Sequence, residues 1–246
     1  MAALSGQEIQ MSFWDHLEEL RWVIFKCLLV LVVTTLTCLA FTNPLWELMI
    51  YPLESLEVEV TIIEGGPVTA FVSRLKLSLL AGFVVGIPFI LYFIWGFIAP
   101  GLRQHETRIA WVAIAAGTVF FVVGACFGYF LMFFGLAALE RMGLAAAEPV
   151  WMLKDYMSFC FRFILAFGVV FEMPVVLVAL ARLGLVKADS LAKFRPYAVV
   201  AVFVLAAFLT PPDPFTQIML GLPLLVLYEL SIIMARLVEP KDAKEL

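Results

Sequence analysis

Two carboxylates stand inside otherwise uncharged apolar runs, Glu172 between Phe163 and Ala181 and Glu229 between Phe215 and Ala235. A charged carboxylate at the centre of a membrane helix costs about 2.5 to 3.5 kcal/mol on insertion scales, so Glu172 is expected to face a cavity or a partner, or to be neutral. Pro174, two residues on, has no backbone donor and frees a carbonyl near the same depth, which adds polarity there. Glu172 thus reads either as a neutral acid hydrogen-bonded to a neighbouring helix, or as a polar contact in a transport path or a proton-sensitive element. Glu229 lies nearer the end of its run, where snorkelling is easier. Glu18, Glu19 and Glu106 offer a second chemistry. Carboxylates accept paired hydrogen bonds from guanidinium groups, so converging acids here could recognise an arginine-containing peptide. The plainer alternative is a solvated surface on which Glu18 or Glu19 pairs with Arg21 at helical spacing.

Enzyme chemistry finds little support. His16 opens HLEEL without the second histidine of a metalloprotease helix, and neither a GxSxG elbow nor a P-loop lysine pattern occurs. No catalytic residue is expected, and His16 and His105 read as ordinary interfacial side chains. Cys27, Cys38, Cys126 and Cys160 lie in or beside apolar segments with no CxxC spacing, so they read as packing residues; no metal site and no cofactor is expected. The net charge of −4 argues against nucleic acid as a partner.

The elements that must position these acids are membrane spans. Of the 246 residues, 64% are hydrophobic and 15% charged, and the mean hydropathy is +1.04. A spanning helix needs about 20 apolar residues. Uncharged or nearly uncharged runs cover Trp22 to Phe41, Leu77 to Leu102, Ile109 to Leu139, Phe163 to Ala181, Pro196 to Pro212 and Phe215 to Ala235. The expectation is an all-α polytopic membrane protein, a single domain over 1–246 with six transmembrane helices, the last two short and separated by the Pro-rich turn around Asp213. With the N-terminus inside, the cytoplasmic connections carry Arg21, Lys26, Arg103, Arg108 and the seven Lys and Arg from Arg182 to Lys244, eleven in all, against five outside (Arg74, Lys76, Arg141, Lys154 and Arg162). That count favours both termini in the cytoplasm. Residues 1–21, with Ile9, Phe13, Leu17 and Leu20 at helical spacing and no cleavable leader in view, read as an amphipathic segment on the cytoplasmic face. The connection 42–76 is too long for a simple turn and reads as a structured outer cap. Gly82/Gly86 and Gly124/Gly128 are GxxxG patterns, which read first as helix packing within the bundle and second as oligomer contacts. No internal repeat of the kind found in many secondary transporters is visible.

Several segments together resemble the TatC family, the multispanning core of the twin-arginine protein translocase: HLEELR at 16–21, NPLWELMIYPL at 43–53, FIAPGLRQHE at 97–106, FGVVFEMPV at 167–175, RPY at 195–197 and TPPDPFTQ at 210–217. Their order and placement relative to the six runs cover nearly the whole chain. The resemblance implies a non-enzymatic receptor for the paired-arginine signal peptides of folded export substrates, driven by the proton-motive force in a prokaryotic cytoplasmic (inner) membrane. It further implies single-span partners of the TatA and TatB type, self-association into multimers, and contact with membrane lipid. Signal recognition then maps onto Glu19 and Glu106, with Arg21, Phe97 and Leu102 in the same motifs. Glu172 corresponds to the family's intramembrane acid, Gln217 to a polar partner-contact position, and Pro52 and Asp213 to outer-side positions with structural or coupling roles. Two positions depart from the family: a second basic residue often follows the HLEELR arginine where this chain has Val23, and two basic residues often follow HE where it has Thr107 and Arg108. The acidic pair is intact. The alternative from another class is a proton-coupled small-solute transporter with Glu172 as proton carrier.

Overall fold

The computed structural model describes residues 13–55, 61–98, 107–142, 150–209 and 214–239. In chain order these form α1 (Phe13–Leu39), α2 (Thr42–Glu54), β1 (Thr61–Ile63), α3 (Pro67–Ile98), α4 (Thr107–Met142), β2 (Val150–Met152), α5 (Leu153–Phe171), α6 (Met173–Arg182), α7 (Ala188–Lys193), α8 (Arg195–Leu209) and α9 (Pro214–Val238). Among the described residues five stretches are long and apolar enough to cross a bilayer: Trp14–Leu39, Pro67–Ile98, Ala110–Ala138, Leu153–Arg182 and Pro214–Val238. The apolar helix Arg195–Phe208 is shorter. The expected shortness therefore holds for α8 alone. The last helix extends to 25 residues, because Arg236 ends the uncharged run without ending the helix; a long side chain on the last turn reaches the interface. The fourth stretch likewise begins at Leu153, well before its uncharged run, and carries Lys154, Asp155 and Arg162 on its first turns. Helix α4 has 36 residues, about 54 Å at 1.5 Å per residue, far more than a hydrocarbon core of about 30 Å.

Two features add to the all-helical expectation. Residues 13–21 are continuous with 22–39 in one helix; the rest of the proposed amphipathic segment lies outside the described residues. Strands β1 and β2 pair in parallel, Thr61 opposite Val150 and Ile63 opposite Met152.

Lipid tails are as apolar as leucine, so helices in a membrane are held by close packing, and small residues set how close. Both GxxxG patterns are spent inside the bundle. A Cβ on Gly82 would lie 2.7 Å from the Thr35 backbone of α1, and one on Gly124 would lie 2.6 Å from Phe171 Cβ and 2.7 Å from the Phe167 carbonyl of α5. Gly128 and Gly168 continue the second seam against Phe167 and Phe121. Phe121, Phe163 and Phe167 fill the centre and are almost fully buried. Helix α1 lies at the edge, its Leu28, Leu29, Val32, Val33 and Leu36 facing outward. Its Thr34 hydroxyl donates to the Val30 carbonyl at 2.8 Å, so that polar group is satisfied within its own helix.

Candidate functional site

The first turns of α1 carry the acids of HLEELR, and helical spacing sorts them. Glu18 and Arg21, three residues apart, form an ion pair at 3.6 Å, and the Arg21 guanidinium also lies 5.6 Å from the Trp22 ring centre. Glu19 points elsewhere. Its Oε2 is removed from solvent and has no hydrogen-bond partner among the described residues; His16 Nδ1 stands 3.8 Å from it, an ion contact too long for a hydrogen bond. The His16 ring in turn stacks on Phe97 at the end of α3, with centroids 4.4 Å apart and planes 15° from parallel. Glu19 and Phe97, two of the expected recognition residues, are thereby brought to one place, while Arg21 is engaged by Glu18. Glu106 and Leu102 lie outside the described residues. His16 is the residue that sequence reasoning passed over, since its partner Phe97 lies far along the chain and no local spacing signals the stack.

Glu172 occupies the break between α5 and α6. Pro174 cannot donate to the preceding turn, and the Glu172 N–H bonds Val169 O at 3.1 Å in a tightened turn. The side chain is half-buried on a cavity of about 270 Å³ whose walls include Ile87, Leu91 and Trp95 of α3, Phe121 of α4 and Val176 and Leu180 of α6. Among the described residues Glu172 is the one ionisable group on that lining, and its Oε1 has no donor there. The carboxylate fits because α4 offers Gly117, whose Cβ position lies 2.8 Å from Glu172 Oε2. Gly117 had no signal in the sequence beyond being a glycine in a span.

Gln217, on the first turn of α9, donates from Nε2 to the Phe203 carbonyl of α8 at 2.9 Å, and a Cβ on Gly221, one turn later, would lie 3.0 Å from the Phe203 ring. It is a staple between α8 and α9. Glu229 is also engaged: Arg195 of α8 holds it in a two-pronged pair, Nε to Oε1 at 2.7 Å and Nη2 to Oε2 at 2.8 Å.

Pro52 is almost fully buried within α2. A proline cannot donate to the carbonyl four residues back, here Leu48. The Tyr129 hydroxyl of α4 donates to that carbonyl at 2.8 Å, and the Tyr156 hydroxyl of α5 donates to Met49 O. These tyrosines, like His16, join residues too distant in sequence for spacing to reveal. Asp213 lies outside the described residues. Among the described residues no group of three or more His, Cys, Asp or Glu could hold a metal ion.

With this geometry in hand, comparison with known proteins is specific. The family model described as Sec-independent protein translocase protein (TatC) matches residues 15–223. The Sec-independent protein translocase protein TatC of Desulforapulum autotrophicum is 37% identical over 246 aligned residues, covering 98% of this chain and 91% of its own. The Escherichia coli K12 protein of the same name is 35% identical, covering 90% and 86%. A crystal structure of the twin-arginine translocase receptor TatC in DDM superposes with a TM-score of 0.83 at 34% identity, covering 89% of this chain and 99% of that one. The chain is a multi-pass integral membrane protein that belongs to the TatC family, a component of the Sec-independent, twin-arginine protein translocase.

Proposed function

We propose that this chain is the signal-peptide receptor and core subunit of that translocase, with six spans and both termini in the cytoplasm of a prokaryotic inner membrane. The observation that carries the reading is the division of labour on α1. Glu18 absorbs the charge of Arg21, which leaves Glu19, with an oxygen that has no hydrogen-bond partner among the described residues, beside His16, whose ring stacks on Phe97. A guanidinium needs a carboxylate to bind and a flat surface to stack on. Glu106 and Leu102, which follow Phe97 in the sequence, are the remaining members of the recognition set, so that two carboxylates are available for two arginines. The signal's apolar segment then runs toward the Glu172 cavity, where the acid exchanges contacts with a polar group on a single-span partner of the TatA or TatB type. Partner contact at Gln217 falls on the α8–α9 pair whose spacing that side chain sets. Multimers of the complex are driven by the proton-motive force, with Pro52 and Asp213 supporting the outer side.

The test is the affinity of a labelled paired-arginine signal peptide for the purified, inserted protein. A charge-assisted hydrogen bond contributes about 1.5 to 3 kcal/mol, so Glu19→Gln or Glu106→Gln alone should weaken binding about tenfold or more. The double substitution should leave no preference over a paired-lysine peptide. Unchanged affinity in the double variant, inserted at normal levels, refutes the assignment.

A further inference from the structure

We propose that His16 is a resident competitor at the Glu19 site, one that an incoming arginine must displace. This deepens the receptor reading and rests on it. The two contacts His16 makes are those a guanidinium makes: a charge contact with Glu19 at 3.8 Å and a near-parallel stack on Phe97 at 4.4 Å. The charge contact is long, and Glu19 Oε2 has no hydrogen-bond partner among the described residues. The seat is therefore filled without being satisfied, and a group that can both stack and donate at normal length takes it over. Arginine does both. Lysine has no plane, so it replaces the charge and forfeits the stack. His16 and Glu19 sit one turn apart on a continuous helix, which fixes the competitor in place. The charged groups on α1 around His16 are Asp15, Glu18, Glu19 and Arg21; Lys26, nearly three turns further along, lies over Phe93. The last described turn of α3 brings Phe97 and no charge; Arg103, His105 and Glu106 follow it in sequence.

The experiment measures binding of a fluorescent paired-arginine signal peptide to the full chain in nanodiscs. His16→Ser vacates the seat, so affinity should rise about twofold or more. His16→Phe keeps the stack on Phe97 and loses the contact with Glu19, so affinity should rise less than in His16→Ser. His16→Arg is a permanent occupant and should bind several-fold more weakly than wild type. The inference is overturned if all three variants bind as wild type does while Glu19→Gln abolishes binding. If Glu19→Gln binds normally, the receptor reading fails first and carries this inference with it.

Discussion

Two glycines of α4, Gly117 and Gly124, should respond in opposite ways to the same substitution. A Cβ on Gly124 would stand 2.6 Å from Phe171 Cβ and 2.7 Å from the Phe167 carbonyl. Ordinary contact begins at 3.4 Å, so close to 1 Å must be found, and the obstructing atoms belong to the frame of α5. Only separation of the helices relieves it. Overpacking of this kind costs about 1–3 kcal/mol, against a gain of about 0.5–1 kcal/mol for replacing glycine in a helix interior. Gly124→Ala should thus lose about 0.5–2 kcal/mol, a fall in melting temperature on the order of 2–6 °C for a chain of this size. At Gly117 the obstructions are Glu172 Oε2 and Leu91 Cδ1, both at 2.8 Å and both at the free ends of side chains that can swing aside. Gly117→Ala should melt at the wild-type temperature or slightly above it, yet move the carboxyl from its seat and reduce export. Thermal unfolding by intrinsic fluorescence in a mild detergent, paired with export of a twin-arginine reporter, separates the two. If Gly117→Ala is destabilised as much as Gly124→Ala, or exports normally, the account of the Glu172 seat is wrong.

Glu172→Gln keeps hydrogen-bonding capacity without charge and should export nearly as well as wild type, whereas Glu172→Ala should fall at least severalfold; equal damage at normal protein levels would mean that ionisation matters. A reporter active only outside the cytoplasm should report activity when fused after Glu59 or Glu148 and none after His105, Asp189 or Leu246, and activity at His105 would overturn the span order. Tyr129→Phe removes the donor at the Leu48 carbonyl and should cost about 1 kcal/mol. In a Pro52→Ala background the new backbone N–H can serve that carbonyl, so the loss should shrink by half or more. Equal losses in both backgrounds, followed by melting temperature and hydrogen exchange of α2, would separate Tyr129 from Pro52.

The spans were legible because bilayer thickness writes itself into sequence as long uncharged runs, and the lone acid Glu172 stood out against that silence. Glu19 was legible as a candidate through its company in HLEELR. Charges hid the ends of helices: Arg162 masked the first half of α5, and Arg236 the last turn of α9, since long basic side chains tolerate a membrane border by reaching past it. Three-residue strands such as β1 and β2 carry too little periodicity to be read. What could not be read at all were pairings across sequence, His16 with Phe97, Tyr129 with Leu48, and Arg195 with Glu229. Each partner is unremarkable in its own segment and gains meaning only when the bundle closes.

The β1–β2 ladder has a consequence for how the molecule is assembled. Its two strands flank the α3–α4 hairpin in the chain, so β1 has no mate until both helices have been synthesised, inserted and turned back to the same side of the bilayer. In the proposed span order, a chain in which α4 failed to cross would leave β1 and β2 on opposite faces of the membrane, where no rearrangement short of reinsertion could pair them. Three residue pairs add little free energy, but they form only in a correctly threaded chain. In that span order the ladder is thus a structural mark of correct threading, present only when both helices have crossed.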